Sequence, residues 1–200
     1  VRAVRTQAVR QFEKERKMGK NILVLTGSPR KNSNSGMLVS DFAEGAKSAG
    51  HEVTVFDTAA NLVKGCRACD MCWSKGHACI FEDGFRELAP LLVKAYTLVL
   101  AAPLYFYTFP AQLKAAIDKM YAFTGPAAKQ KLALKEAVLL MCAEEERMEA
   151  FAGSIATYKE ICNFLELKDR GIITVGGVHP AGAIAGNPGL TEAKTLGSEM

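Results

Sequence analysis

Four of the six cysteines lie close together in the sequence and could ligate metal. Cys66, Cys69, Cys72 and Cys79 have the spacing C-x2-C-x2-C-x6-C. Tandem x2 steps wrap a chain around an iron–sulfur cluster, whereas zinc sites usually use two separated C-x2-C pairs. The spacing therefore favours a [4Fe-4S] cluster, and a four-thiolate zinc site and free or oxidised thiols are the alternatives. His77 is a further candidate ligand.

A polar run follows the first apolar segment and offers the groups that a phosphate needs. Ser28, Ser33, Asn34 and Ser35 supply hydroxyl and amide donors, and Arg30 supplies positive charge. A strand-to-helix turn adds backbone N–H groups and the positive end of a helix. The run lacks the glycine and lysine pattern of a P-loop and the glycine pattern of a dinucleotide fold. We predict a monophosphate site here, with an ordinary polar loop as the alternative.

Aromatic residues follow a second apolar segment. Pro103 ends that segment, and Tyr105, Phe106, Tyr107 and Phe109 come just after it. Consecutive aromatic side chains at the end of a strand form an unfavourable exposed surface unless something covers them. Their faces suit a flat ring. The alternative is that they cap the core beneath a loop.

Alternating strand and helix patterns position these three groups. Apolar runs predict five strands, at Asn21–Thr26, His51–Asp57, Thr97–Ala102, Ala137–Cys142 and Ile172–Val175. Apolar residues at helical spacing predict four helices, marked by Leu38, Phe42 and Ala46; by Phe85, Leu88 and Leu92; by Leu113, Ile117 and Tyr121; and by Phe151, Ile155, Tyr158 and Cys162. Gly50 is expected to end the first helix and Asp83 to cap the second.

Strands that are apolar throughout and alternate with helices indicate a parallel sheet covered on both faces. Right-handed crossovers leave few topologies for such a sheet. Five strands fit the flavodoxin-like order 2-1-3-4-5 better than the six-stranded dinucleotide fold, so we predict an α/β three-layer sandwich. That order binds FMN at the switch point between the first and third strands, where the polar and aromatic runs both lie.

Length and charge describe the rest of the chain. Two hundred residues, 49% of them hydrophobic, suffice for one domain, which we place at 20–200 after a basic extension at 1–19. The net charge of +4 comes from this extension, and a nearly neutral body argues against nucleic-acid binding. With no apolar run of eighteen residues and no signal-like leader, we expect a cytoplasmic protein without a membrane anchor. Cys142 and Cys162 are expected in the core.

The polar run, the segment Pro103-Leu104-Tyr105-Phe106 and the following Ala111-Gln112-Leu113-Lys114 resemble the NAD(P)H-dependent FMN reductase family. The cysteine stretch resembles its iron–sulfur flavoprotein branch. The resemblance covers the chain from about Met18 onward and implies FMN as cofactor and a homodimer or homotetramer. It assigns Ser28, Arg30, Ser33, Asn34 and Ser35 to the FMN phosphate. It assigns Pro103, Leu104, Tyr105, Phe106 and Tyr107 to the flavin ring.

We therefore predict an FMN-dependent oxidoreductase in which FMN does the redox step and no side chain acts as nucleophile or general base. NAD(P)H or a ferredoxin would donate electrons, and a small molecule or a protein would accept them. The segment 143–146 is expected to form a third wall of the site, with its glutamates as a solvated rim. One alternative is an NAD(P)H-dependent FMN or quinone reductase without a cluster. Another is a non-enzymatic electron carrier of the flavodoxin type.

Overall fold

The computed structural model describes residues 19–75 and 78–200, which are built around a five-stranded sheet. Every neighbouring pair of strands is parallel, in the order β2-β1-β3-β4-β5. The strands are β1 (Asn21–Thr26), β2 (Glu52–Asp57), β3 (Thr97–Pro103), β4 (Glu136–Cys142) and β5 (Lys168–Val175). This order confirms the predicted flavodoxin-like topology.

Helices cover both faces of the sheet. Those described are α1 (Asn34–Ser48), α2 (Met71–Ser74), α3 (Phe85–Lys94), α4 (Ala111–Lys119), α5 (Ala152–Phe164) and α6 (Pro188–Ser198), with 3-10 turns at Met120–Phe123 and Met148–Phe151. One core cluster joins the sheet to α3, α4 and α5, and a second joins it to α1 and α6. The predicted three-layer sandwich is therefore present.

Alternation along the central strands builds these two cores. In β3, Leu98 and Leu100 pack into the first cluster and Val99 into the second, because successive side chains of a strand point to opposite faces. Every residue of β4 is buried. Both faces of a central parallel strand are covered, which explains the nearly continuous apolar sequence.

The structure differs from the sequence predictions in several places. Strand β5 begins four residues earlier than predicted, and helices α2 and α6 were not predicted. Tyr121 does not continue the buried face of α4, because the chain tightens into a 3-10 turn after Lys119 and leaves the tyrosine 39% exposed.

The two helix-end predictions hold. The N–H of Gly50 donates to the carbonyl of Lys47 just beyond the end of α1. The Asp83 carboxylate accepts from the N–H of Phe85, the first residue of α3, at 2.9 Å. Among the described residues, no helix is both long and apolar enough to cross a membrane. The predicted extension 1–19 lies, apart from Gly19, outside the described residues.

Candidate functional site

A cleft of about 390 Å³ opens at the carboxyl ends of β1, β3 and β4. This is the switch point of the sheet, because the chain leaves β1 toward β2 on one side and returns through β3 on the other. Nine of the ten residues predicted to bind FMN line it: Ser28, Arg30, Ser33, Asn34, Ser35, Pro103, Leu104, Tyr105 and Phe106. The tenth, Tyr107, lines an adjoining depression with Glu145. The structure thus brings the polar and aromatic runs together.

The polar run turns into the first residues of α1. Ser33 is the N-cap, and its hydroxyl oxygen accepts from the N–H of Gly36 at 3.1 Å. The Ser28 hydroxyl oxygen accepts from the N–H of Arg30 at 3.3 Å, which folds the turn back on itself. The first N–H groups of a helix have no partner within it, and they carry its positive dipole end. This turn is therefore suited to an anion.

Sequence reasoning missed the loop between β5 and α6, which forms another wall of the cleft through Val178, His179 and Ala181. The Arg30 guanidinium donates to the carbonyl of His179 at 2.8 Å. The side-chain amide of Asn34 also bonds to this loop. No local pattern signals these contacts, because they join residues about 150 positions apart.

The aromatic run forms a tight turn. Tyr105 and Thr108 exchange two backbone hydrogen bonds, at 3.0 and 3.1 Å, around Phe106 and Tyr107. Both central residues have positive φ, 45° and 62°, as in a type I′ turn, which normally favours Asn and Gly. Phe106 is 99% exposed. Two aromatic residues in this conformation are strained, and such strain clusters at ligand sites.

The third wall comes from the end of β4, where Cys142, Ala143 and Glu144 line the cleft. Burial raises the pKa of the Cys142 thiol to about 11, so this thiol stays protonated at neutral pH. Glu144 lies at the rim and pairs with His179, with 2.8 Å between Oε2 and Nδ1. As predicted, segment 143–146 contributes to the cleft and its first glutamate is solvated. Cys162 is buried, as expected.

The four clustered cysteines line one small pocket of about 30 Å³. Cys66 and Cys69 are exposed, and Cys72 and Cys79 are half-buried. Burial raises the pKa of the Cys72 thiol, and repulsion from the neighbouring Cys69 and Cys66 side chains raises it further. Within 19–75 and 78–200, no three His, Cys, Asp or Glu side chains are placed to hold a metal ion. His77 lies outside the described residues.

Aromatic contacts hold the cysteine loop against the turn after α4. The Trp73 ring stacks on Tyr121 with 4.6 Å between centroids, and the Tyr121 hydroxyl donates to Asp70 at 2.9 Å. A Cβ at Gly125 would lie 2.3 Å from the Trp73 ring, so this contact needs glycine. The Trp73 indole N–H is buried without a hydrogen-bond partner in the described part of the chain. The loop thus has an unused donor one residue from Cys72, and cluster sulfurs accept such bonds.

The cleft fits a flat ligand that carries a phosphate. Its volume lies within the usual range for small-molecule sites. The turn before α1 offers donors and positive charge, and the aromatic turn offers ring faces. The cysteine pocket has the donor set of a thiolate-bound metal centre.

Sequence comparisons identify relatives of this chain. An iron-sulfur flavoprotein from Archaeoglobus fulgidus is 28% identical over 188 residues, covering 88% of this chain and 76% of the relative. Another, from Methanosarcina thermophila, is 29% identical over 175 residues, covering 88% of this chain and 86% of the relative.

Solved structures show the same fold. An NAD(P)H:quinone oxidoreductase from Methanothermobacter marburgensis has a TM-score of 0.70 at 19% identity, covering 90% of this chain and 96% of that one. An FMN-dependent NADH-azoreductase from Bacillus anthracis in complex with FMN has a TM-score of 0.62 at 15% identity, covering 90% and 98%.

The sequence model of the NADPH-dependent FMN reductase family matches residues 20–154, well over half of the chain. This match agrees with the cleft and with the topology. The chain therefore belongs to the NADPH-dependent FMN reductase family, and it is an FMN-dependent oxidoreductase with a flavodoxin-like fold.

Proposed function

We propose that this chain takes electrons from NAD(P)H at an FMN held in the cleft and passes them on through an iron–sulfur cluster on the cysteine loop. When bound, FMN supplies the redox chemistry. The turn before α1 binds its phosphate, and the aromatic turn packs against its ring and excludes water. The Cys142 thiol, protonated at neutral pH, brings no charge to the cleft.

One observation carries the FMN assignment. Two segments far apart in the sequence, the polar and aromatic runs, meet as opposite walls of one cleft at the switch point of the sheet. Ligands of open α/β sheets bind at this place. A polar loop and a core cap with unrelated roles would not need to share a cavity.

The cluster assignment rests on the cysteine pocket. All four thiols line it, and the relatives from Archaeoglobus fulgidus and Methanosarcina thermophila are named iron-sulfur flavoproteins. A cluster would serve as a one-electron carrier. The protein would then join a two-electron donor to one-electron acceptors.

Anaerobic purification tests this proposal. The expected protein shows flavin and cluster absorbance, contains iron and acid-labile sulfide, and oxidises NADH or NADPH. Replacing Cys69 by Ser should remove the iron and sulfide and leave FMN bound. Zinc in place of iron and sulfide would contradict the cluster and indicate a structural site.

A second candidate is a two-electron NAD(P)H-dependent FMN or quinone reductase whose cysteine loop holds no cluster. It is supported by the match of residues 20–154 to the NADPH-dependent FMN reductase family. Iron-free protein that still oxidises NAD(P)H would support it. A non-enzymatic carrier would instead fail to oxidise either nicotinamide and would accept electrons from a ferredoxin.

The remaining assignments are also proposals. None of the six cysteines forms a disulfide, as is usual in the reducing cytoplasm, where we propose that the protein works. The homodimer or homotetramer implied by the family resemblance is tested by light scattering of the FMN-loaded protein.

A further inference from the structure

A buried ion pair closes the base of the cysteine loop. The Lys119 ammonium donates to the Asp83 carboxylate, and the two side chains are only 3% and 2% exposed. The same carboxylate accepts from the backbone N–H of Lys64 at 3.1 Å. Because Lys64 precedes all four cysteines and Asp83 follows them, this carboxylate joins the two ends of the loop. Lys119 anchors the joined ends to α4.

Lys119 and Arg67 both line the small pocket that the four thiols line. The position of Lys119 is also fixed by Phe85, whose ring centroid lies 5.5 Å from the ammonium nitrogen. Four thiolates around Zn²⁺ or around a cubane of iron and sulfide carry a net negative charge. A cation held beside them stabilises the loaded site electrostatically.

A buried lysine is unusual, because removing an ammonium from water is unfavourable. Replacing a buried ion pair by an apolar pair of similar volume often leaves a protein equally stable. Burial disfavours the charged carboxylate, but the hydrogen bonds from Lys119, Phe85 and Lys64 outweigh this effect and lower the pKa of Asp83. The Asp83 carboxylate therefore supplies a counter-charge at neutral pH to the Lys119 side chain, which lines the cysteine pocket.

We propose that Lys119 is a positioning residue for the metal centre of the cysteine loop. It holds the loop closed through Asp83, and it places a positive charge beside the thiolates. This inference rests on the proposed function only in requiring a centre on the four cysteines.

The test compares Lys119→Met, Lys119→Arg and the control Lys114→Met in FMN-loaded protein purified anaerobically. Lys114 lies on the same helix and pairs with Asp118 at the surface, at 2.6 Å. In Lys119→Met, the chelator concentration that removes half of the iron should fall about tenfold, as for other residues that orient metal ligands. The reduction potential of the remaining centre should fall, because the more negative reduced form loses a neighbouring cation. Lys119→Arg should restore both properties, and Lys114→Met should match the wild type.

Unchanged chelator resistance and potential in a Lys119→Met protein that binds FMN normally would overturn the proposal. If that variant does not fold, Asp83→Asn/Lys119→Met removes both charges. Wild-type iron retention in this double variant would also overturn the proposal.

A second readout does not depend on the cluster. Trypsin can cleave within the loop after Arg67 and Lys75, both exposed. In chelator-treated protein, Lys119→Met should be cleaved there faster than Lys114→Met, and equal rates would overturn the closing role. Wild-type protein with FMN but no iron would contradict the proposed cluster, and the trypsin comparison would then decide the closing role separately.

Discussion

The side-chain amide of Asn34 donates to the backbone carbonyl of Pro180 at 2.9 Å and ties the first residue of α1 to the loop between β5 and α6. The same amide donates to Val178 at 3.3 Å, and its oxygen accepts from the N–H of Ile184 at 3.2 Å. Both donor hydrogens are thus used within the protein. Asn34 holds two walls of the cleft together, so only its backbone N–H is left for the phosphate.

Replacing Asn34 by Ala should weaken FMN binding without direct loss of a phosphate contact. Three hydrogen bonds disappear, two buried and one partly buried, each contributing about 1 kcal/mol. The loop then loses its fixed distance from the phosphate turn, and we expect the Kd for FMN to rise about tenfold. Fluorescence titration measures this, with the exposed Asn163→Ala on α5 as control. Equal Kd values for the two variants would contradict this role.

Ser33→Asp separates helix capping from phosphate binding. Aspartate caps a helix as well as serine does, so the free energy of unfolding of the FMN-free protein should not fall. The added carboxylate would repel the phosphate, and we expect FMN affinity to fall about tenfold or more. Ser33→Asn is the neutral control and should bind FMN better than Ser33→Asp. If both variants bind equally, the phosphate does not lie at this cap.

Removing the strain of the aromatic turn should stabilise the protein and weaken FMN binding. Phe106→Asn/Tyr107→Gly places the preferred type I′ residues at positive φ, which should raise the free energy of unfolding by about 1 kcal/mol. FMN affinity should fall, because the flavin ring loses contact with the two aromatic side chains. Urea unfolding of FMN-free protein and FMN titration test the two effects. Phe164→Asn, which removes another exposed aromatic, should leave FMN binding unchanged. An Asn-Gly turn that binds FMN as the wild type does would show that the two aromatic rings are dispensable.

Glu136, buried at the start of β4, binds two cations. Its carboxylate pairs with Lys20 at 2.8 Å and with Arg170 at 3.1 Å. Glu136→Gln removes the negative charge that Glu136 supplies to both cations, which should lower the free energy of unfolding by about 2–3 kcal/mol. The exposed Glu52→Gln at the start of β2 is the control. If Glu136→Gln lowers the free energy of unfolding no more than the control does, the two ion pairs make no net contribution to stability.

His51 should make stability depend on pH. Its Nδ1 accepts from the backbone N–H of Lys20 at 3.1 Å, and burial and the Lys20 charge lower its pKa, with Glu136 acting in the opposite direction. The fold therefore favours neutral histidine. This contribution is complete above the unfolded pKa of about 6.5 and is lost as pH falls toward the folded pKa. Urea unfolding between pH 7.5 and 5.5 should show a smaller decline for His51→Gln. The same decline in both proteins would contradict this assignment.

The sheet could be predicted because its strands are buried on both faces, which leaves apolar runs such as that of β4. Helix α6 could not. It packs on α1 through glycines: a Cβ at Gly197 would lie 2.1 Å from the carbonyl oxygen of Phe42, and a Cβ at Gly45 would lie 2.0 Å from that of Lys194. A contact between backbones leaves no apolar periodicity. The early part of β5 is polar and partly exposed, so it too gives no strand signal.

The site could be predicted where it follows strand ends. The polar and aromatic runs come directly after β1 and β3, and parallel strands bring their carboxyl ends to one edge. The wall from Val178 to Ala181 has no such signal, because its residues are positioned by Asn34 and Arg30. The position of Lys119 at the cysteine pocket could not be predicted for a similar reason. Its sequence position indicates a surface helix, and only the tertiary structure places it beside the cysteines.

A crystal structure of the FMN-loaded protein would locate the cofactor. We expect the phosphate against Ser33 and Ser35 at the start of α1, with the flavin ring between Tyr105 and the end of β4. A phosphate bound elsewhere, or a protein that is colourless as isolated and takes up no FMN, would contradict this prediction.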